Sequence, residues 1–366
     1  MPDTDITLFV SSLAGGGAHK MMLHIAKGLT ELGHNVDLVL IKKEGPFVDD
    51  IPSTVSVVDL GSTRAITSIP KLVDYLNKND PNVLLATPVI PTIPAIWATM
   101  LSRVDTQVVP RVPVVLSESN IYNNPDDISE RILPYLIKLF YNYCENIVAI
   151  SQGVADDLVS NFNINRGNIK VIHNPAIDET AVEKCKEEVE HEFFDTNVPV
   201  LIGVGRLSEQ KDFPTLIRAF EHLLGKADAR LIILGEGGER EHLEEMIHER
   251  NLSSKVDLPG FVDNPFSYMS QADVFVLSSA WEGFGNVIPE SLLCGTPVVS
   301  TDCKSGPREI LNNGEYGTLV EVKNESQLCE AILQTLEEPT EERRLKQRAQ
   351  EFHVDTIVPK YSELID

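Results

Sequence analysis

The feature that most restricts what this chain can fold into is an alternation, kept up twice, between short β-branched runs and helix-length amphipathic segments. The runs Ile6–Val10, Val36–Leu40, Val55–Val58, Val83–Ala86, Val114–Leu116, Ile147–Ile150 and Lys170–Ile172 read as strands. Between them Ala18–Glu31, Ile69–Asn77, Ile128–Tyr143 and Gly153–Asn161 carry helical periodicity. Apolar strands joined by helical crossovers form parallel sheets covered on both faces. The pattern breaks at Asn174-Pro175 and a charged stretch, Glu179–Glu192, which reads as a solvated linker helix. A second alternation follows, with strands near Leu201–Val204, Arg230–Leu234, Val256–Leu258, Val274–Leu277, Val298–Ser300 and Thr318–Val320. Polar helical segments around Glu325–Leu336, Glu341–Glu351 and Val354–Ile365 close the chain. The expectation is an α/β protein of two doubly wound, Rossmann-like parallel-sheet domains, residues 1–178 and 179–350, with a terminal helical segment 351–366. Such sheets bind ligands beyond the carboxyl ends of their strands, so two facing units would enclose a cleft.

At 366 residues the chain is long enough for two cores. Its 55 acidic against 31 basic side chains, a net charge of −24, exclude a duplex nucleic acid partner, whose phosphates need clusters of Lys and Arg. The opening runs straight into a strand, so a signal peptide is not expected. The longest apolar stretch, Pro88–Leu101, holds three prolines and falls short of the ~20 residues that span a bilayer. These features suggest a cytoplasmic protein. The five cysteines form no C-x-x-C pair and read as buried or partly buried thiols in a reducing compartment. The nine histidines lack H-E-x-x-H spacing, so no metal site is expected, and the one D-x-D, Asp3-Thr4-Asp5, precedes the first strand and reads as coincidental.

The informative residues fall in loops after strands. The first strand leads into Gly15-Gly16-Gly17-Ala18, where small residues let the backbone approach a ligand and leave helix amides for an anion. A purely structural tight turn is the alternative. A nicotinamide dinucleotide site would show G-x-G-x-x-G and an acid after the second strand, where this chain has Lys42-Lys43. The second unit opens with Gly203-Val204-Gly205-Arg206-Leu207 and reaches Lys211 before a helix starting near Phe213. Arg offers a planar fork to phosphate oxygens and Lys a compact charge; pairing of Arg206 with Glu209 or Asp212 is the alternative. Later comes Trp281-Glu282-Gly283-Phe284-Gly285-Asn286-Val287-Ile288-Pro289-Glu290. Asn286 would cap a helix starting at about Val287, with Glu290 in its first turn and the amides of Phe284 to Ile288 free for an anion. Glu282 and Glu290 suit recognition of hydroxyls, although Glu290 also favours a helix N-terminus by charge alone.

These loops together resemble glycosyltransferase family 4, the retaining class of GT-B architecture. The match covers nearly the whole chain in order: Gly15–Ala18, Ile150-Ser151-Gln152-Gly153-Val154, His173-Asn174-Pro175, Gly205-Arg206-Leu207 through Lys211, and the pair Glu282 and Glu290. Leu234-Gly235-Glu236-Gly237 and Gly260-Phe261-Val262 resemble the family's nucleotide-side loops. The resemblance implies metal-independent transfer of a hexose or N-acetylhexosamine from a nucleoside diphosphate sugar, by family habit a UDP-sugar, to a glycan or polyprenyl-lipid-linked acceptor. Such an enzyme would work in the cytoplasm or peripherally at the cytoplasmic face of the membrane, with no cofactor beyond the donor itself. Arg206 and Lys211 would bind the diphosphate and stabilise the charge of the leaving group. Glu290 would hold the ribose, and Phe261 and Val262 would border the base. Glu282 and the loop Phe284, Gly285, Asn286 and Val287 would hold the sugar, while Gly205, Gly16 and Gly17 permit close approach. No protein nucleophile is implied.

Many members carry a His after the fifth strand, where this chain has Leu116-Ser117-Glu118-Ser119-Asn120, a form resembling members that assemble surface polysaccharides and protein-linked glycans on lipid carriers. Glu118 is therefore a candidate for bonding a sugar or acceptor hydroxyl, with a structural carboxylate as the alternative. A sugar-nucleotide epimerase of the same architecture and a noncatalytic sugar-nucleotide binding module are the competing functions. Residues 1–180 carry 13 basic and 20 acidic side chains, residues 181–366 carry 18 and 35. The half expected to grip a diphosphate is the more acidic one, so local cations and amides must do the gripping. Acidity spread over both halves suits a halophilic host, because repulsion is screened within a few ångström at ~1 M salt.

Overall fold

The computed structural model describes residues 5–14, 16–119 and 128–365. It divides into two units, one running to Pro175 and resumed from Val354, the other Ala176–His353. Gly15, Asn120 and the Asp3-Thr4 part of the D-x-D lie outside the described residues.

The first unit is a seven-stranded parallel sheet of β1 (Ile6–Val10), β2 (Val36–Leu40), β3 (Ser56–Asp59), β4 (Val83–Ala86), β5 (Gln107–Val112), β6 (Ile147–Ala149) and β7 (Ile169–Val171), in the order β3-β2-β1-β4-β5-β6-β7. All five side chains of β1 are buried, because β1 pairs with both β2 and β4 at the sheet's centre. Its topological switch point lies between β1 and β4. One expected strand is misplaced: Val114–Leu116 is not a strand, and β5 is Gln107–Val112. Pro110 and Arg111 made that segment look unlike a central strand, since Pro cannot donate to a ladder. Arg111 is nevertheless completely buried there, donating from Nε to Tyr361 Oη at 3.1 Å and from Nη2 to Asn174 Oδ1 at 2.5 Å. The apolar stretch with three prolines is the helix Val89–Leu101, with Pro94 inside it.

The terminal helix Val354–Ser362 belongs to this unit. Ile357, Val358, Tyr361 and Leu364 are buried in its core, each burial contributing roughly 1.5–3 kcal/mol for a large apolar side chain. Contact with the helix Gly17–Glu31 is made at Gly28, where an added Cβ would lie 2.9 Å from Val358 Cγ2. Glycine there permits backbone-close packing.

The second unit is a six-stranded parallel sheet of β8 (Val200–Val204), β9 (Arg230–Leu234), β10 (Val256–Gly260), β11 (Val274–Leu277), β12 (Val298–Thr301) and β13 (Thr318–Val320), in the order β10-β9-β8-β11-β12-β13. Its core packs the helix Phe213–Leu224, with Leu216, Ile217, Phe220 and Leu223 on one face, against β8, β9 and β11. The expected linker helix Glu179–Glu192 is helical only over Glu179–Lys184. Asp178 caps its start through Ala181 N. Beyond it the backbone turns so that His191 can pair with Asp257 at 2.9 Å and pack its ring against Phe193, Phe194 and Tyr268, tertiary contacts that outweigh local propensity. Among the described residues no helix is long and apolar enough to cross a membrane.

Candidate functional site

The switch point of the second sheet lies between β8 and β11, and the loops leaving these two strands carry Arg206 and Lys211 on one side and Glu282 to Glu290 on the other. Three loops, after β8, β9 and β10, are stitched by backbone bonds: Gly205 N to Leu234 O at 3.0 Å, Leu207 N to Glu236 O at 2.9 Å and Gly235 N to Gly260 O at 2.8 Å. Gly235, at φ +139°, is obligatory, because a Cβ would fall 1.9 Å from Gly205 O. The loop after β11 is tied to the β8 loop by Ala280 N to Gln210 O at 2.8 Å and Gln210 Nε2 to Trp281 O at 3.0 Å.

The centre of this arrangement is a buried ion pair. Lys211 Nζ donates to Glu282 Oε1 at 2.6 Å, with the two side chains only 14% and 7% exposed, and Ser279 Oγ donates to the same oxygen at 2.7 Å. Ser278 Oγ fixes the lysine's own backbone by donating to Lys211 O at 2.7 Å. Sequence reasoning gave Lys211 and Glu282 separate partners on a ligand; the fold makes them partners of each other. Separated by 71 positions, they offer no local sequence signal of this. Arg206, by contrast, is exposed and makes no ion pair among the described residues, so the alternative in which Glu209 or Asp212 neutralises it does not hold.

The helix after β11 begins at Val287, as its sequence implied, with the buried Glu290 in its first turn. Two details differ. Asn286 stands at the cap position with already helical dihedrals, so its side chain does not cap. The Ile288 amide is not free, because Gly285 at φ +92° closes a turn that receives it at 2.9 Å. Phe284 is buried and packs edge-on against Phe352, with ring centroids 5.7 Å apart. Phe261 projects with 75% of its surface exposed, beside a half-buried Val262. Cys303 lies close enough to feel the Glu282 and Lys211 charges; burial, then the Glu282 charge, push its thiol up to about 12.

In the first unit Gly16, at φ 89°, is the cap of helix Gly17–Glu31, and both glycines are exposed. Glu118 ends a turn, Leu116–Glu118, that follows β5, and it too is exposed. That turn is held by Asp157, which accepts from Ser117 N at 3.1 Å and from Asn161 Nδ2 at 2.7 Å. Asp157 was missed from sequence; a carboxylate on the buried face of an amphipathic helix is the signal that marks it. Ser151 of the Ile150–Val154 motif is a helix cap, accepting from Val154 N at 3.2 Å. Among the described residues no group of three or more His, Cys, Asp or Glu side chains is placed to hold a metal ion.

The structure of Anabaena HepE in complex with UDP matches 98% of this chain and 99% of its own, with a TM-score of 0.78 at 21% identity. The protein therefore has the GT-B fold. A family model described as glycosyl transferases group 1 matches residues 186–352, and one described as glycosyltransferase family 4 matches residues 15–179. An uncharacterized glycosyltransferase of Methanocaldococcus jannaschii is 30% identical over 288 residues, 67% of this chain and 70% of that protein. The chain belongs to this glycosyltransferase family. It is also 38% identical over 215 residues to the N-acetylgalactosamine-N,N'-diacetylbacillosaminyl-diphospho-undecaprenol 4-alpha-N-acetylgalactosaminyltransferase of Campylobacter jejuni, a match spanning 59% of this chain and 57% of the relative.

Proposed function

We propose that this glycosyltransferase moves a hexose or N-acetylhexosamine from a UDP-sugar to a polyprenyl-lipid-linked glycan, with retention of anomeric configuration and without a divalent metal. The observation that carries the reading is the site at the second switch point, where an exposed Arg206 stands in the loop after β8 that also supplies Lys211, which pairs with Glu282 of the loop after β11. UDP is favoured by the HepE complex, and a lipid-linked acceptor by the name of the Campylobacter relative.

Arg206 and Lys211 bind the donor diphosphate and offset the charge that grows on it as the glycosidic bond breaks. One well-placed donor of this kind lowers a barrier by roughly 3–4 kcal/mol. Because Lys211 is already fixed by Glu282, whose accepting oxygen Ser279 also holds, it needs no reorganisation when the charge develops. Glu290 accepts from the ribose hydroxyls, and the exposed Phe261 ring with Val262 borders the base. Glu282, through the oxygen not used by Lys211 and Ser279, and the loop Phe284 to Val287 hold the sugar. Gly16, Gly17 and Glu118 serve the first unit's share of donor and acceptor. The leaving phosphate takes the acceptor's proton as attack comes on the face it leaves, so no protein nucleophile is required.

The test is release of UDP and labelled product from a panel of UDP-sugars with polyprenyl diphosphate-linked acceptors, run with and without chelator. Transfer that survives chelation and falls by about a hundredfold or more in Arg206→Ala supports the reading. Interconversion of the donor without transfer identifies an epimerase, and binding without turnover a regulatory module. Loss of transfer on chelation with recovery in manganese refutes metal independence.

A further inference from the structure

Away from this switch point the second unit holds a pair of thiols that the proposed reaction does not use. Cys185 Sγ and Cys294 Sγ lie 3.0 Å apart, bridging 109 positions of sequence. Cys294 is buried, its sulfur also facing Phe266 O at 3.5 Å, whereas Cys185 is partly exposed. Both line a cavity of 410 Å³ together with Lys186, Lys346 and Glu342; Lys346 pairs with Glu342, and Lys186 pairs with Glu183 at 2.7 Å. Among the described residues no third ligating side chain joins them to make a metal site. The other three cysteines are buried.

We propose that Cys185 and Cys294 form a thiol–disulfide exchange site, at which small disulfides convert the pair reversibly into an intramolecular bond that acts on the helix carrying Glu290. The cavity admits the reagent. Cys185 is the attacking group because it is the partly exposed member of the pair, whereas Cys294 is buried; the hydrogen bond between the two thiols lowers Cys185 and raises Cys294, with the Lys346 charge assisting at Cys185. The Cys185 thiolate attacks one sulfur of the reagent, whose S–S bond breaks and releases one thiolate. The Cys294 thiol then gives its proton to the released thiolate and attacks Cys185 Sγ, expelling the second. Two protein thiols are oxidised and one small disulfide is reduced to two thiols.

A bond of ~2.05 Å requires the two sulfurs to approach by about 1 Å. Cys294 is the last residue of the helix Val287–Cys294, one turn beyond Glu290, so this movement is delivered to the element that presents Glu290. The charge of Glu290 is already felt by both thiols. This second half of the proposal rests on the assignment of Glu290 to the donor site; the exchange chemistry does not.

The experiment exposes the full-length reduced protein to glutathione disulfide and maps the thiols by mass spectrometry. Expected is loss of two of the five thiols, a peptide linking Cys185 to Cys294, no retained glutathione, and full reversal by dithiothreitol. Cys294→Ser is expected to stop at a stable glutathione adduct on Cys185, and Cys185→Ser to leave Cys294 unmodified. Five remaining thiols, a lasting adduct on the unsubstituted protein, or a link to any other cysteine overturns the exchange site. Binding of UDP is then measured on reduced and linked protein, with a change of at least threefold expected. A mapped link with unchanged UDP affinity overturns the coupling to Glu290. UDP binding to neither form refutes the donor assignment alone.

Discussion

Lys211→Met will destabilise the second unit by about 4 kcal/mol, and Glu282→Leu made on top of it will restore most of that loss. At 2.6 Å and an effective dielectric of ~20 the pair's Coulomb attraction is about 6 kcal/mol, which offsets several kcal/mol of desolvation per ion. Removing the lysine leaves the Glu282 carboxylate 7% exposed with Ser279 Oγ as its remaining donor among these contacts, and breaking a buried pair on one side costs about 3–5 kcal/mol. Glu282→Leu alone costs about 3 kcal/mol, less because the longer lysine can turn its head toward water. The double variant loses only about 1–2 kcal/mol, chiefly from the Ser279 hydroxyl left without its acceptor. The coupling is therefore about 5 kcal/mol. Urea unfolding reads it cleanly in a Trp97→Phe background, where Trp281, next to Glu282, is the sole tryptophan. With a denaturant slope of ~2 kcal/mol per M, Lys211→Met shifts the midpoint down by about 2 M and the double variant by under about 1 M. Additive losses would show that the two charges do not hold each other and would sink the argument. Transferase activity stays lost in the refolded double variant, which separates what the lysine does for the fold from what it does for the diphosphate.

Glu118→Gln lowers turnover while the melting curve stays near native, because Asp157 rather than Glu118 is seen to hold the Ser117 amide of that turn; unchanged turnover removes Glu118 from the site. Burial pushes the thiols of Cys144 and Cys303 up to about 12, so both stay protonated across neutral and mildly alkaline pH. Iodoacetamide at pH 8 accordingly alkylates Cys185 first and spares these two, and early labelling of Cys303 contradicts the burial argument. The net charge of −24 makes the folded chain repel itself at low ionic strength. The unfolding midpoint therefore rises between about 0.1 M and 2 M potassium chloride as screening shortens, and a flat response rejects adaptation to salt.

Most strands were legible because each has to bury its own side chains, and that requirement is written locally as apolar runs of the right length. β5 was the exception: Pro110 and the buried Arg111 gave a central strand the composition of a loop, and its arginine is accommodated by Asn174 and Tyr361, residues from far along the chain. The Glu179–Glu192 helix was overestimated for a similar reason, since the contacts that bend the chain at His191 come from Tyr268 and Asp257. At the candidate site the positions of Arg206, Lys211, Glu282 and Glu290 could be read from loop chemistry and family resemblance, but the engagement of the Ile288 amide and the lack of a cap at Asn286 depend on dihedrals that the residue types leave open.

The sequence by itself determined two β/α alternations, the strand ends at which chemistry collects, and membership of a glycosyltransferase family. These follow from short-range rules: burial sets the period of each segment, and glycine, proline and charge mark its ends. The tertiary structure alone decided which distant residues meet. Strand order brings the loop after β8 beside the loop after β11, and only that crossing joins Lys211 to Glu282. The chain's turn after Lys184 and the end of the Glu290 helix bring Cys185 onto Cys294 in the same way. Such pairs are selected by how whole elements pack, a long-range outcome that local periodicity does not encode.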